Sequence, residues 1–195
     1  MSPCRNPLAP PLPLAGQHEG AGGEGLLPRR LGLAVLLATM AVVPLVVSPV
    51  GEFAVDDDWT YAQAVQHLVE TGAYHRSVWI DTAFVAQAWW GAAISKLLGF
   101  SLTGLRLGTL VLAAVALVLF YRLLLRLVSP AVALGATLLL LFHPIFLHLA
   151  YTFMTDVPFL TVMLAAVWCL TVALEGARAA PAGRVRLSWL AGGSA

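Results

Sequence analysis

Residues 31–62 read LGLAVLLATMAVVPLVVSPVGEFAVDDDWTYA, an uncharged hydrophobic run followed closely by three adjacent aspartates. The run Leu31–Val50 contains about 20 residues, enough for a helix to cross a hydrocarbon core of roughly 30 Å. Carboxylates are costly in or beside hydrocarbon, so Asp56, Asp57 and Asp58 are functional candidates. This stretch therefore predicts a membrane span and a site that begins where the span ends.

The composition of the whole chain is that of an integral membrane protein. The chain is 59% hydrophobic and 11% charged, whereas a soluble domain has about 25% charged residues. The net charge of +1, without a basic stripe interleaved with aromatics, argues against a nucleic-acid partner. The two cysteines, Cys4 and Cys169, offer no metal-ligand spacing and no disulfide framework.

Hydrophobic runs further along the chain predict three more spans. The four spans cover about residues 31–50, 105–127, 131–150 and 158–174. The second reaches full length if Arg106 and Arg122 extend their charges to the two interfaces. Pro44 predicts a kink in the first span and His143-Pro144 a kink in the third.

The arginines support this count of spans. With four spans, the arginines before the first span, at the end of the second and after the fourth all fall on the cytoplasmic face. Residues 1–30, rich in Pro and Gly, then form a disordered cytoplasmic tail. The three aspartates and Asp156 fall together on the outer face. Counting Ala83–Leu98 as another span would break this agreement, so it is interpreted as a helix along the outer interface, with Trp89 and Trp90 at headgroup depth.

The outer loop, residues 51–104, is expected to be partly helical. Apolar residues recur at helical spacing through Trp59–Thr71, and Gly72 is the predicted end of that helix. The aspartates would lie at its N-terminus, where the helix dipole favours anions. At the other end of the chain, the residues after Arg186 read as the start of another span, so an N-terminal part of a longer protein is expected.

These features resemble the GT-C membrane glycosyltransferases, and most closely the branch of protein mannosyltransferases and aminoarabinose transferases. The resemblance is carried by Val55–Ala62, by Leu98–Leu107 and by Tyr151–Leu160, and it extends over about residues 31–195. It implies an all-α membrane protein, a GT-C-like polytopic helical bundle with outer juxtamembrane helices. Because members of this family usually have many more spans, these 195 residues alone are not expected to turn over substrate.

The resemblance also implies a reaction. The donor is a sugar on a polyprenyl phosphate reached from the bilayer, and the acceptor is a lipid, a glycan or a protein on the outer face. Asp57 corresponds to the general base, although Asp56 and Asp58 are not excluded from that role. Asp156 corresponds to a second acidic position that orients donor, acceptor or metal, and Tyr61 corresponds to the family's aromatic residue.

Contacts to the donor phosphate and to a metal are less well specified. Arg106 lies on the outer face, where the charge rule does not favour it, and is the first candidate to contact the phosphate; Arg76 is the second. A divalent cation between Asp57 and Asp156 is left open, because oxygen ligands suit Mg²⁺ or Mn²⁺ while some branches of the family use no metal. His148 is a further candidate to line the site.

Simpler interpretations stand beside the catalytic one. Asp56–Asp58 and Thr155–Pro158 both read as ordinary helix starts, with Asp as the N-cap or Pro in the first turn. Arg106 needs no phosphate if it only reaches an interface. The chain could also be a non-catalytic remnant or a transporter of an amphipathic lipid-linked ligand, although acids at the outer edge argue against a transporter. Richness in Ala, Leu and Arg suits a GC-rich bacterium, hence its cytoplasmic membrane.

Overall fold

The computed structural model describes residues 28–75, 79 and 84–179, and the regular structure in these ranges is entirely helical. The all-α fold class is thereby confirmed. The tail up to residue 27, the candidate phosphate contact Arg76 and the chain from residue 180 onward lie outside the described residues. The helices are α1 (Arg29–Val46), α2 (Asp58–Thr71), α3 (Val85–Leu98), α4 (Leu102–Leu124), α5 (Pro130–Leu141), α6 (Pro144–Ala150) and α7 (Asp156–Ala179).

Three of these helices, α1, α4 and α7, are long and apolar enough to cross a membrane. Helices α5 and α6 meet the same criterion only as a pair, bent by 66°. The bend falls at His143-Pro144, where the kink is predicted, because Pro144 has no N–H to continue the hydrogen bonds of α5. Helix α3 has 14 residues and is too short to span, as expected, whereas its position along the interface stays a prediction. Pro44 lies inside α1, two residues before the helix ends.

Helices α4 and α7 run parallel and in register. The Thr161 hydroxyl donates to the Leu112 carbonyl at 3.1 Å, and the Arg126 guanidinium reaches the Glu175 carboxylate at 2.5 Å. Both contacts advance by the same 14 residues along each helix, from 112 to 126 and from 161 to 175. A chain that crosses a bilayer through both helices must return between them, so we infer that α5 and α6 together make one bent crossing.

The loop after α1 is fixed to the start of α4. The Glu52 carboxylate accepts from the backbone N–H groups of Leu102 at 2.9 Å and Thr103 at 3.1 Å. The Ser101 hydroxyl caps the same helix by accepting from Gly104 N–H at 2.9 Å. Together these bonds satisfy three of the donors that a helix N-terminus leaves without intrahelical partners. The end of the molecule where α1 ends and α4 begins is called the acidic end below, because it carries Asp56–Asp58.

Helices α2 and α3 form a platform against α4 at the acidic end. Helix α2 ends at Gly72, whose left-handed φ of +73° confirms the predicted stop. Buried Ala64, Leu68, Phe84, Ala88 and Ala92 pack the two helices together. Helix α3 then approaches α4 at Gly108, where the Trp90 indole N–H donates to the Gly108 carbonyl at 3.3 Å. The platform thus holds α2, and the aspartates at its start, in one place relative to the spans.

Candidate active site at the acidic end

The centre of the acidic end is a buried ion pair between Asp58 and Arg106. Their exposed fractions are 0% and 2%. One Asp58 oxygen accepts from Arg106 Nη2 at 2.9 Å and Nε at 3.2 Å, and the other accepts from Val55 N–H at 2.9 Å. Arg106 also donates to the carbonyls of Gly51, at 2.9 Å, and of Phe53. Both charges are therefore paired and hydrogen-bonded, which is the condition under which charges are buried.

This pairing bears on the predicted roles of both residues. A side chain so buried and so fully bonded does not extend to an interface, so the snorkelling interpretation of Arg106 is wrong. Four of the five guanidinium N–H donors are used by described residues, and one N–H on Nη1 is left. Arg106 still lines a cavity, described below, in which a phosphate could meet that remaining donor.

Asp56 contacts a different helix. One Asp56 oxygen lies 2.5 Å from His148 Nε2 on α6, and both side chains are about half exposed. Asp56 has φ of +53°, a left-handed conformation that Asp tolerates better than most residues. Asp56 therefore contacts α6 and Asp58 contacts α4, although only one residue separates the two aspartates.

Asp57 lies between these two engaged carboxylates. It occupies the N-cap position of α2, but its side chain makes no capping hydrogen bond, so the cap interpretation is wrong for this carboxylate. Among the described residues, the exposed Asp57 carboxylate has neither a hydrogen bond nor an ion pair. Only its backbone is engaged, because the Asp57 carbonyl accepts from the Thr60 hydroxyl at 2.8 Å.

Asp156 lies at the same end of the molecule as the three aspartates. It is exposed and sits in the first turn of α7, so the helix-start interpretation of Thr155–Pro158 is confirmed. It precedes Thr161 by five residues, and the parallel register places it level with residue 107 of α4, the neighbour of Arg106 in the chain. No hydrogen bond joins Asp156 to Asp57 among the described residues.

Two cavities meet at Leu147 and Tyr151. The first, called the arginine cavity, has a volume of about 430 Å³ and takes its polar lining from Arg106, His148, Tyr151, Thr152 and Ser48. The second, called the apolar cavity, has about 270 Å³ and runs along α1 from Leu37 to Pro44. Leu147 and Tyr151 line both cavities. The Tyr151 hydroxyl is buried at this junction and has no partner among the described residues.

The remaining candidates lie outside these two cavities. Tyr61 packs its ring edge-on against Phe84, with centroids 4.9 Å apart, and belongs to the contact between α2 and α3. In the described part of the chain, no three His, Cys, Asp or Glu side chains are grouped closely enough to hold a metal ion. A divalent cation between Asp57 and Asp156 therefore stays an open expectation from the sequence.

Together, the helices and this site define a polytopic all-α membrane protein with a cluster of buried and exposed charged residues at one end of its spans. The model of the family described as dolichyl-phosphate-mannose-protein mannosyltransferase matches residues 82–191, more than half of the chain. The chain belongs to this family of membrane glycosyltransferases, which confirms the predicted relationship. No curated protein and no solved structure matches the chain. The matched region contains Arg106 and Asp156 and begins after Asp56–Asp58, so the roles of the three aspartates stay predictions.

Proposed function

We propose that this protein transfers a sugar from a polyprenyl-phosphate donor to an acceptor on the outer face of a bacterial cytoplasmic membrane. The observation that carries the proposal is that two of the three adjacent carboxylates are paired with basic side chains and the third is not. Arg106 engages Asp58 and His148 engages Asp56, whereas Asp57 is exposed and unengaged among the described residues. Of the three, Asp57 is therefore the carboxylate that is available to take a proton.

Asp57 acts as the general base in this proposal. It accepts the proton of an acceptor hydroxyl or amine as that group attacks the anomeric carbon. The new bond forms at the anomeric carbon, the bond from that carbon to the phosphate oxygen breaks, and polyprenyl phosphate leaves with the electron pair. Asp156, level with Arg106, orients the reacting groups.

The two joined cavities suit a donor of this kind. The apolar cavity beside α1 accommodates part of a prenyl chain, and the arginine cavity accommodates the phosphate and the sugar. The remaining Nη1 N–H of Arg106 and the Tyr151 hydroxyl, which has no partner among the described residues, provide donors for phosphate oxygens in the arginine cavity. Preorganised donors aimed at a leaving group lower the barrier of its departure.

The test is transfer of radiolabelled sugar from a polyprenyl-phosphate pool in membranes that contain the gene product extended to its natural stop codon, because these 195 residues alone are not expected to turn over substrate. Asp57→Asn is expected to lower the transfer rate by about 10²-fold or more, the usual contribution of a general base. Asp156→Asn is expected to lower it as well. The matched control is Glu70→Gln, which neutralises an exposed acid on α2 and should transfer like the wild type. If Asp57→Asn transfers as fast as the wild type at equal membrane insertion, the assignment of the base is wrong.

A further inference from the structure

Another cavity lies between the start of α3 and the start of α7, apart from the arginine cavity and the apolar cavity. It has a volume of about 240 Å³ and is called the α3–α7 cavity. Its lining comes from Phe84, Val85, Ala86 and Gln87 on one side and from Thr155, Pro158, Phe159 and Val162 on the other. Its walls are apolar apart from one amide and one hydroxyl, those of Gln87 and Thr155.

Gln87 is the feature that the fold does not explain. Its side chain is only 5% exposed, and neither its amide nitrogen nor its amide oxygen has a partner among the described residues. A buried amide without partners destabilises a fold, and an apolar side chain of similar size would avoid that cost. Gln87 also lines the cavity, so a ligand bound there lies beside this amide and can supply the missing bonds.

The α3–α7 cavity adjoins Asp156 along the chain and adjoins the contact between α2 and α3. Thr155, in its wall, directly precedes Asp156. Phe84, also in its wall, contacts the ring of Tyr61, which follows Asp57 by about one helical turn. Thr155 is four residues from Tyr151 of the arginine cavity, so their Cα atoms are at most about 14 Å apart.

The α7 rim of the cavity is apolar and exposed. Phe159 and Val162 lie near the start of α7, a candidate span, and are 70% and 68% exposed. Apolar side chains exposed on a spanning helix suit contact with acyl chains, and the first turns of a span lie near headgroup depth. A ligand of this cavity therefore meets hydrocarbon at the mouth and a hydrogen-bonding amide inside.

We propose that the α3–α7 cavity is the acceptor site and that the acceptor is a membrane amphiphile. Its chain lies against Phe159 and Val162, and an amide or hydroxyl of its head bonds to Gln87. This assignment rests on the proposed function, since the term acceptor requires a transfer reaction. A soluble acceptor peptide has no acyl chain to place against Phe159 and Val162.

The experiment is protection of a cysteine in the cavity wall, Thr155→Cys, with Cys4 and Cys169 replaced by alanine, in the full chain in lipid nanodiscs. N-octanoylglucosamine, which joins an acyl chain to an amide and hydroxyls, is expected to slow the labelling of this cysteine by a maleimide. N-acetylglucosamine and a short Ser/Thr peptide, which lack the chain, are expected to leave the labelling rate unchanged. Equal protection by either soluble probe would overturn the proposal in favour of an acceptor from water.

Gln87→Leu is expected to raise the half-protecting concentration about tenfold, the loss of roughly one hydrogen bond. The control Gln63→Leu, at an exposed position of α2, should leave it unchanged. If Gln87→Leu prevents folding, Phe159→Ala serves instead, because this exposed ring supports the amphiphile at the mouth and contributes little to the core. If the variant that folds has the same half-protecting concentration as the wild type, the assignment is wrong. Protection of the cysteine requires no turnover. If N-octanoylglucosamine protects Thr155→Cys but no sugar transfer is found, the amphiphile site is supported and the proposed function is not.

Discussion

At the scale of single residues, the three adjacent aspartates owe their differences to partners far along the chain. Asp58 meets Arg106, 48 residues later, and Asp56 meets His148, 92 residues later. The sequence predicts that this cluster and Asp156 share one face, because spans and arginines can be counted. It cannot predict which aspartate stays unengaged, because that depends on how α4 and α6 pack beside the loop.

The buried pair of Asp58 and Arg106 gives the sharpest prediction about stability. Asp58→Asn leaves the Arg106 charge buried without its counter-ion and is expected to cost about 3–5 kcal/mol of unfolding free energy. The comparison is Glu175→Gln, which breaks a more exposed pair with Arg126 and should cost at most about 1 kcal/mol. Thermal unfolding in detergent, followed by circular dichroism, measures both. Equal losses in the two variants would show that the Asp58 pair contributes no more than a surface contact.

At the scale of the elements, Glu52 links the end of one span to the start of the next. Hydrogen bonds from Thr103 and from the Leu102 backbone hold the pKa of Glu52 below its ordinary value of 4.5. A lowered pKa in the folded state means that this carboxylate stabilises the fold above pH 4.5. That contribution is lost as the pH falls through the lowered pKa and the carboxylate is protonated.

Glu52→Gln is therefore expected to reduce the pH dependence of stability. The wild type should lose melting temperature between about pH 7 and about pH 3, and the variant should lose less over this range, because it has no carboxylate to protonate at α4. Glu70→Gln, an exposed acid on α2, should keep the wild-type dependence. Identical pH profiles for all three proteins would show that the contact of Glu52 with α4 contributes nothing to stability.

The limits of sequence-based prediction at this scale follow from what each signal encodes. Gly72 and Pro144 mark where α2 ends and α6 begins, because both act through the local backbone. The hydrophobic run predicts that the fourth span ends near residue 174, whereas α7 continues to Ala179. Its last turns carry Glu175 and Arg178, and Glu175 pairs with Arg126 of α4. Hydropathy indicates where the apolar run ends. The helix continues beyond that point because Glu175 pairs with Arg126.

At the scale of the whole molecule, the parallel register of α4 and α7 decides how the site is assembled. It places the starts of both helices at one end, together with the end of α1 and the platform of α2 and α3. The buried Tyr121 hydroxyl donates to the Arg29 carbonyl at 3.1 Å, so α1 begins where α4 ends and runs antiparallel to it. The alternation of directions gathers Arg106, Asp156 and the aspartates at the acidic end.

This arrangement predicts the side of the membrane on which each loop lies. In a chain without Cys4 and Cys169, Ser129→Cys in the turn after α4 and Arg178→Cys near the end of α7 should label from one face. Thr71→Cys, at the end of α2, should label from the opposite face; all three positions are exposed. With a membrane-impermeant maleimide on intact cells, Thr71→Cys should react, and the other two should react only after lysis, because arginines mark the cytoplasmic face.

Labelling of Ser129→Cys and Arg178→Cys from opposite faces would mean that α5 and α6 turn back without crossing. Helices α4 and α7 would then have to run antiparallel, contrary to their two in-register contacts, and Asp156 could not lie level with Arg106.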